Sequence, residues 1–172
     1  MESVKEFGEP GFVWSDSTEL IVNPCVEIGM WPVDEQTGET GWQACNLSTI
    51  NCAKVSTKKE FYAACASASI IGTLQAGFAS FPYLGEVSER IISREALLGV
   101  SMTGIMEQHE ICLDPEVQKK GAEIVKETNA RIAELIGINQ AARTTCVKPE
   151  GTSSCILGTS SGIHPHHAKR YI

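Results

Sequence analysis

The chain has 172 residues, a length that suits one domain, since domains cluster near about 100–150 residues. Its 42% hydrophobic and 20% charged residues are typical of a globular protein and exclude a disordered chain. A net charge of -7 excludes binding to nucleic acid through overall charge, and no apolar run reaches the roughly 18 residues of a membrane helix. The N-terminus lacks the basic and apolar blocks of a signal peptide, so we expect a cytoplasmic protein without membrane contact.

The first third of the chain predicts an arm, one strand and a return segment. Residues 1–18 are interrupted by glycine and proline and have few apolar positions, which is typical of an arm or linker. The apolar run 19–22 predicts a buried strand that stops at Pro24, because proline cannot donate to a strand ladder. Residues 32–41 predict an exposed loop, and residues 42–51 predict an extended segment beside the first strand.

Helices and short strands alternate after residue 56. Thr57 and Glu60 fit a capping box, so we expect a helix that ends near residue 81. A second helix over residues 88–98 and a short strand over residues 99–104 follow.

The second half continues this alternation. Asp114 and the proline after it predict the start of a helix that ends at Gly137. Residues 144–148 predict a strand, and residues 149–154 predict a turn that leads into a short helix. The pattern indicates an α/β fold with mainly parallel strands. Because a parallel sheet needs both faces covered and few strands are visible, we expect part of a larger barrel or sheet.

Seven cysteines are an unusual count for this length: Cys25, Cys45, Cys52, Cys65, Cys112, Cys146 and Cys155. An odd number in a chain without a signal peptide favours a reducing compartment over a disulfide framework. We expect Cys65, Cys112 and Cys155 to be buried as small hydrophobic side chains.

Two segments combine thiols with polar groups. Asn23, Cys25 and Glu27 alternate in a predicted extended loop, so an amide, a sulfur and a carboxylate would share one face. The alternative is a polar loop whose Asn and Glu side chains cap backbone groups. If residues 42–51 pair with the first strand, Cys45 lies near Cys25, and two thiols in one cleft suit redox chemistry. Otherwise the two are unrelated buried cysteines.

The turn after residue 148 is a candidate phosphate site. Free backbone N–H groups at a helix start, next to glycine and hydroxyl side chains, bind anions, although an ordinary capped helix is an equal alternative. The candidate residues are Pro149, Glu150, Gly151, Thr152, Ser153 and Ser154. The nearby histidines at 164, 166 and 167 have no cysteine or carboxylate at a usual ligand spacing, which favours hydrogen bonding over a metal site.

Four stretches together resemble the catalytic subunit of ribonucleotide reductases, especially the adenosylcobalamin-dependent (class II) branch. They are NPCVEI at 23–28, CNLSTIN at 45–51, REALLGVSMTGIME at 94–107 and the segment 147–172. The resemblance implies an α/β fold that is part of a ten-stranded α/β barrel with a central finger loop. Residues 19–172 would then be a partial barrel domain, with its finger loop at 23–31.

The resemblance also implies roles for the candidate residues. Cys25 corresponds to the thiol that becomes a thiyl radical and takes the ribose 3′ hydrogen, and Glu27 to the carboxylate that removes the 3′-hydroxyl proton. Asn23 corresponds to the amide that orients the ribose, and Cys45 to one of two cysteines that are oxidised to a disulfide. The loop 149–154 corresponds to the cradle for the substrate phosphates.

The implied enzyme makes deoxyribonucleotides for DNA synthesis from ribonucleoside di- or triphosphates. The resemblance implies adenosylcobalamin as cofactor and a dithiol reductant such as thioredoxin. From the residues themselves, we expect no side chains that form a metal site. In the family, the second redox cysteine lies on a strand before the finger loop, and no other cysteine of this chain matches it in sequence position. We therefore expect a complementary reductase chain and no activity without the missing part of the barrel. A non-catalytic nucleotide-binding remnant and a reductase with a different radical source are the alternatives.

Overall fold

The computed structural model describes residues 2–170 and has a mixed α/β fold with two small sheets. The helices are α1 (Glu2–Phe7), α2 (Lys58–Ala76), α3 (Gly85–Glu95), α4 (His109–Cys112), α5 (Pro115–Ile136) and α6 (Gly151–Leu157). The strands are β1 (Ile21–Val22), β2 (Gly29–Met30), β3 (Asn46–Asn51) and β4 (Leu98–Thr103). Within the described residues, no helix is long and apolar enough to cross a membrane.

The central sheet is the parallel pair β3–β4, in register from Asn46 opposite Leu98 to Asn51 opposite Thr103. The helices α2 and α3 form the crossover that a parallel pair requires. The prediction that residues 42–51 lie beside the first strand is therefore wrong. Strand β4 has a partner on each edge: β3 lies on one edge, and an isolated parallel bridge joins Val100 to Thr145 on the other. Nearly every position of β4 is buried. The predicted strand at 144–148 is reduced to a short paired stretch around this bridge, held by three backbone hydrogen bonds between residues 143–146 and β4.

The main core lies where α2 and α5 pack together and against the sheet. Gly121 on α5 allows the close approach, because a Cβ there would lie 2.8 Å from the Phe61 ring and 3.1 Å from the Cys65 sulfur. Cys65 and Cys112 are buried in this core, as predicted. Cys155 is exposed, so its predicted burial is wrong: α6 is a short helix near the end of the chain that turns this side chain outward.

Capping residues define where the two long helices, α2 and α5, begin and where α5 ends. Thr57 and Glu60 form the predicted capping box at the start of α2. The side chain of Asp114 accepts hydrogen bonds from two backbone N–H groups at the start of α5, and Gly137 ends this helix in the left-handed conformation with φ 74°. The helix α2 ends earlier than predicted, at Ala76, and α3 begins earlier than predicted, at Gly85.

The first strand belongs to a two-stranded antiparallel hairpin, in which Ile21 lies opposite Met30 and Val22 opposite Gly29. Ile21 is 46% exposed and Val22 is 37% exposed, so the predicted burial of this strand is wrong. Met30 of the second strand is buried against the central sheet. The hairpin therefore holds the loop between its strands close to the sheet through β2.

The loop at 32–41 is fixed by a charge pair that gives a testable pH dependence. Asp34 is buried and accepts hydrogen bonds from Arg90 Nη2 at 2.7 Å and Thr37 Oγ1 at 2.9 Å. The hydrogen bond from Arg90 lowers the pKa of Asp34 below its ordinary value of 3.8. A carboxyl with a lowered folded-state pKa stabilises the fold above its unfolded pKa, and this stabilisation is lost as the pH falls through the folded pKa. We expect urea unfolding of Asp34→Asn to depend less on pH below about pH 4 than that of the wild type.

The control for this prediction is Glu2→Asn, which removes an exposed carboxyl of α1. The control should keep the pH dependence of the wild type. An equal acid dependence of the wild type and Asp34→Asn would contradict the role of this pair.

Candidate active site

The loop between β1 and β2 is a tight turn rather than the extended segment that the alternation of Asn23, Cys25 and Glu27 predicts. The backbone N–H of Val26 donates to the Asn23 carbonyl at 2.9 Å, and Val26 has φ 64°. Asn23 Oδ1 accepts a hydrogen bond from the Ile28 backbone N–H at 3.1 Å. The alternative interpretation, in which the Asn23 side chain caps a backbone group, is thus correct for its Oδ1 atom. This hydrogen bond closes the loop.

Arg94 of α3 anchors the chain just after β2. Its guanidinium donates to the backbone carbonyls of Trp31 at 3.0 Å and Val33 at 2.7 Å. It also lies 4.9 Å from the centre of the Trp31 ring, within the range of a cation–π contact. The end of the finger loop (residues 23–31) is therefore attached to a helix of the main body.

Cys25 and Glu27 open into one pocket of about 320 Å³ together with Lys148 and Pro149. The remaining lining residues are Val26, Val147, Ile163 and His164. Cys25 is an exposed free thiol. The fold thus brings the thiol and the carboxylate of the finger loop to the start of the candidate phosphate loop, although the two segments lie more than 100 residues apart in the sequence.

The Glu27 carboxylate is a buried polar group at this site. Both of its oxygens are buried, and among the described residues neither has a hydrogen-bond partner. A buried acceptor without a donor costs free energy, so such a group is commonly matched to a ligand or serves chemistry. Glu27 is therefore an unused proton or hydrogen-bond acceptor in the lining of this pocket.

Cys45 and Cys146 lie together on the side of the sheet that faces the finger loop. Both pack against the buried cluster of Ile28, Met30 and Leu97. The pairing that would place Cys45 near Cys25 does not occur, because β3 pairs with β4 and not with β1.

Their thiols are held in the protonated form. The pKa of Cys45 is raised to about 12, mainly by burial and in addition by the neighbouring Cys146 and Glu27. The pKa of Cys146 is raised to about 11, mainly by burial and in addition by the carboxylates of Glu27 and Glu150. Both cysteines therefore carry S–H groups at neutral pH.

This difference in environment predicts two classes of thiol reactivity. We expect iodoacetamide at pH 8 to alkylate the exposed Cys25 and Cys155 at least about tenfold faster than Cys45 and Cys146, because the thiolate is the nucleophile. Peptide mass spectrometry over time measures each rate. In the unfolded chain all four should react alike, and equal rates in the folded chain would contradict the assigned environments.

The candidate phosphate loop leads into α6, and its acidic residue is turned inward. Glu150 is 1% exposed and has φ 57°, and its carboxylate accepts hydrogen bonds from Thr49 Oγ1 at 2.7 Å and Ser153 Oγ at 2.5 Å. The bond from Thr49 attaches the loop to β3, and the bond from Ser153 lies within the loop. The Glu150 side chain therefore faces the protein, while Gly151 and Thr152 are exposed.

The segment 158–162 packs against the same loop. A Cβ on Gly162 would lie 2.9 Å from the Lys148 carbonyl and 3.0 Å from the Pro149 carbonyl, so the two backbones are in direct contact. Thr103 at the end of β4 holds this segment, since its hydroxyl donates to the Ser160 carbonyl and accepts from the Gly162 N–H, both at 3.0 Å. Sequence reasoning missed these residues, and the glycines of the 158–162 segment are the signal that could have indicated a close backbone approach.

The histidines of the last segment do not form a metal centre. His164 lines the pocket, and His166 Nε2 lies 3.3 Å from Glu107 Oε1. Across residues 2–170, no group of three or more His, Cys, Asp or Glu side chains has a geometry that could hold a metal ion.

Comparison with known proteins finds similarity to adenosylcobalamin-dependent ribonucleoside-triphosphate reductases. The chain is 28% identical over 189 residues to the adenosylcobalamin-dependent ribonucleoside-triphosphate reductase of Euglena gracilis, an alignment that covers 95% of this chain and 23% of that enzyme. It is 26% identical over 114 residues to the enzyme of the same name from Lactobacillus leichmannii, covering 50% of this chain and 15% of that enzyme. No family model matches the chain.

The fold agrees with this result. The crystal structure of a B12-dependent (class II) ribonucleotide reductase superposes with a TM-score of 0.60 at 22% identity, over 85% of this chain and 23% of that one. The expected ten-stranded barrel is not present in the described residues, whose sheets are small and open. In sequence and in fold, the chain is similar to the adenosylcobalamin-dependent, class II ribonucleotide reductases and spans about a quarter of their length.

Proposed function

We propose that this chain is the part of an adenosylcobalamin-dependent ribonucleotide reductase that carries the radical thiol and the substrate-phosphate loop. The observation that carries this proposal is the pocket shared by Cys25, Glu27 and the start of the 149–154 loop. In the assembled enzyme, residues 19–172 would form part of a ten-stranded barrel around the finger loop. Seven free thiols suit a reducing compartment such as the cytoplasm.

The pocket suits the first steps of ribonucleotide reduction. The exposed Cys25 thiol is the group in this pocket that can give up a hydrogen atom and become a thiyl radical, and adenosylcobalamin would supply the radical chemistry that removes this hydrogen. The Cys25 sulfur then takes the 3′ hydrogen of the ribose, and the unpartnered Glu27 carboxylate accepts the 3′-hydroxyl proton. The Oδ1 atom of Asn23 is used within the loop, so its Nδ2 donor is the end that orients the ribose.

The loop 149–154 would hold the substrate phosphates through its backbone. Its exposed Gly151 and Thr152 stand at the start of α6, while the inward Glu150 and the contact with Gly162 keep the loop in one conformation. The pocket includes Lys148, whose positive charge suits a polyphosphate. The curated relatives are named as triphosphate reductases, so we propose a ribonucleoside triphosphate as substrate.

The remaining parts of the reductase would complete the site. The chain spans about a quarter of its relatives, and its N-terminal segment carries large apolar side chains that are open to solvent, among them Phe7 at 70%, Phe12 at 69% and Trp14 at 95% exposure. Exposed apolar groups of this kind favour contact with further protein. We propose a complementary reductase segment as that partner and a thioredoxin-like dithiol as the final reductant.

A substitution in the phosphate loop tests the binding part of the proposal. No atom lies within 4 Å of the position where a Cβ would stand on Gly151, so Gly151→Asp fits sterically and places a negative charge beside the phosphates. We expect equilibrium dialysis to give an affinity for a ribonucleoside triphosphate at least about tenfold weaker than that of the wild type. Ser67→Asp, on the exposed side of α2, is the matched control and should bind normally.

Equal binding by Gly151→Asp and the wild type would contradict the phosphate role of the loop. Binding that is lost in Gly151→Asp but never accompanied by reduction in the assembled enzyme would favour the alternative of a nucleotide-binding remnant. Reduction without adenosylcobalamin would favour a different radical source.

A further inference from the structure

We propose that Glu95 is a positioning residue of the pocket, whose carboxylate holds the finger loop and the segment leading into the phosphate loop in one arrangement through two arginines. The effect on turnover rests on the proposed function. The link between the two segments rests only on contacts within the chain.

Glu95 is the last residue of α3, and its side chain is only 12% exposed. A carboxylate at the C-terminal end of a helix faces the negative end of the helix dipole, and burial removes the water that would stabilise its charge. Ala96 follows in the left-handed conformation, with φ 42°, and turns the chain into β4. The helix itself therefore disfavours a carboxylate at this position, and cationic partners are needed to offset the cost.

The first partner is Arg94, which connects Glu95 to the finger loop. Glu95 Oε1 accepts a hydrogen bond from Arg94 Nε at 3.1 Å and lies 3.1 Å from Arg94 Nη2. The same Nη2 donates to the Trp31 carbonyl at 3.0 Å, and Nη1 donates to the Val33 carbonyl at 2.7 Å. Glu35 is a weaker partner of this guanidinium, because it lies 3.9 Å away and is 60% exposed. Glu95 therefore orients the guanidinium that holds the end of the finger loop.

The second partner is Arg143, at the start of the stretch that pairs with β4. Arg143 Nη2 donates to Glu95 Oε2 at 3.1 Å, and the Ala142 N–H donates to the Glu95 carbonyl at 2.9 Å. The Arg143 carbonyl in turn accepts from the Leu98 N–H at 3.0 Å. Arg143 is 48% exposed, so solvent screens this ion pair more than the first one.

The two arms of this network end at opposite sides of the pocket. The finger loop supplies Cys25 and Glu27, and the stretch after Arg143 runs into Lys148 and Pro149. A misplacement of reacting groups by about 1 Å can cost about 100-fold in rate. The carboxylate of Glu95 thus controls how the thiol stands relative to a substrate held on the other side.

The phosphate loop has separate supports. Glu150 is bonded to Thr49 of β3, and Gly162 is in backbone contact with Lys148 and Pro149. None of these contacts involves Glu95. We therefore expect loss of the Glu95 charge to lower kcat and to leave the KM for the nucleotide unchanged.

Amide hydrogen exchange of the 172-residue chain, followed by peptide mass spectrometry, tests the link without nucleotide or cobalamin. Glu95→Gln keeps the size of the side chain but removes its charge and turns an amide N–H2 toward one of the guanidiniums. We expect exchange at least about threefold faster than in the wild type in both segments, 23–34 and 142–146, and unchanged exchange in α5. Faster exchange in only one of the two segments, or equally throughout the chain, would overturn the proposal.

Two further variants keep this test valid. Glu127→Gln removes an exposed carboxylate of α5 and should exchange like the wild type. Arg143→Gln changes a half-exposed side chain, so it serves where Glu95→Gln folds poorly. It should accelerate exchange in 142–146 and leave 23–34 unchanged, and unchanged exchange in 142–146 would overturn the proposal.

Turnover of the assembled reductase tests the positioning role. We expect Glu95→Gln to lower kcat at least about tenfold, with the KM for a ribonucleoside triphosphate within about twofold of the wild-type value. A raised KM at unchanged kcat, or wild-type values of both, would overturn this role. Faster exchange in both segments with no product even from the wild-type enzyme would overturn the proposed function and leave the link intact. Product from the wild type with unchanged exchange in Glu95→Gln would do the reverse.

Discussion

Replacing Cys25 by serine is expected to abolish deoxyribonucleotide formation by the assembled reductase, meaning this chain together with the rest of the enzyme. A hydroxyl occupies the same place in the pocket, but its O–H bond is too strong to be converted into a radical that is regenerated in each cycle. Loss of a residue that takes part in bond breaking typically costs at least about 1,000-fold in turnover. We expect a loss of this size, with nucleotide affinity unchanged because the 149–154 loop is held by other residues.

Cys155→Ser is the matched control for this substitution. It removes another exposed thiol, on α6, and should retain wild-type turnover. Turnover by Cys25→Ser close to that of the control would refute the assignment of Cys25. Loss of nucleotide binding together with turnover would instead indicate that the substitution disturbs the whole pocket.

The second large effect is expected from Leu97→Ala, which should lower the free energy of unfolding by about 2–5 kcal/mol. Leu97 is 1% exposed and lies just before β4, where it packs with Ile28 and Met30 of the finger loop. Truncation leaves a cavity between the finger loop and the sheet. Urea denaturation followed by circular dichroism measures the change.

Leu135→Ala serves as its control, because Leu135 is 71% exposed on α5. Surface substitutions of this kind change stability by no more than about 0.5 kcal/mol. Similar losses for the two variants would show that the finger loop is not packed on the sheet through Leu97. A second consequence of Leu97→Ala is faster alkylation of Cys45 and Cys146, since both lie in the same cluster.

The helices could be predicted from the sequence because their signals are local. Thr57 with Glu60, and Asp114 with Gly137, each act within a few residues of the helix ends they define. Strand pairing is not local. The sequence around residues 42–51 indicates an extended segment, but its partner lies about 50 residues further on, and nothing nearby in the sequence specifies β4.

The same distinction applies to the candidate site. Cys25, Glu27 and the loop 149–154 were found through motifs, and Cys25, Glu27 and Pro149 do line one pocket in the fold. The turn conformation of the finger loop depends on Val26 adopting a positive φ, which a valine rarely does, and so it was not predicted. The proximity of Cys146 to Cys45 depends on the register of three extended segments and on a glycine between them, and no short motif contains that information.

The measurement that tests the central claim most directly is deoxyribonucleotide formation in a mixture of this chain, the rest of the reductase, adenosylcobalamin, a dithiol and a ribonucleoside triphosphate. The account predicts product when all components are present, and none when this chain is left out or carries Cys25→Ser. Product formed equally well without this chain, or with Cys25→Ser in its place, would contradict the claim that the radical thiol of the enzyme lies in this finger loop.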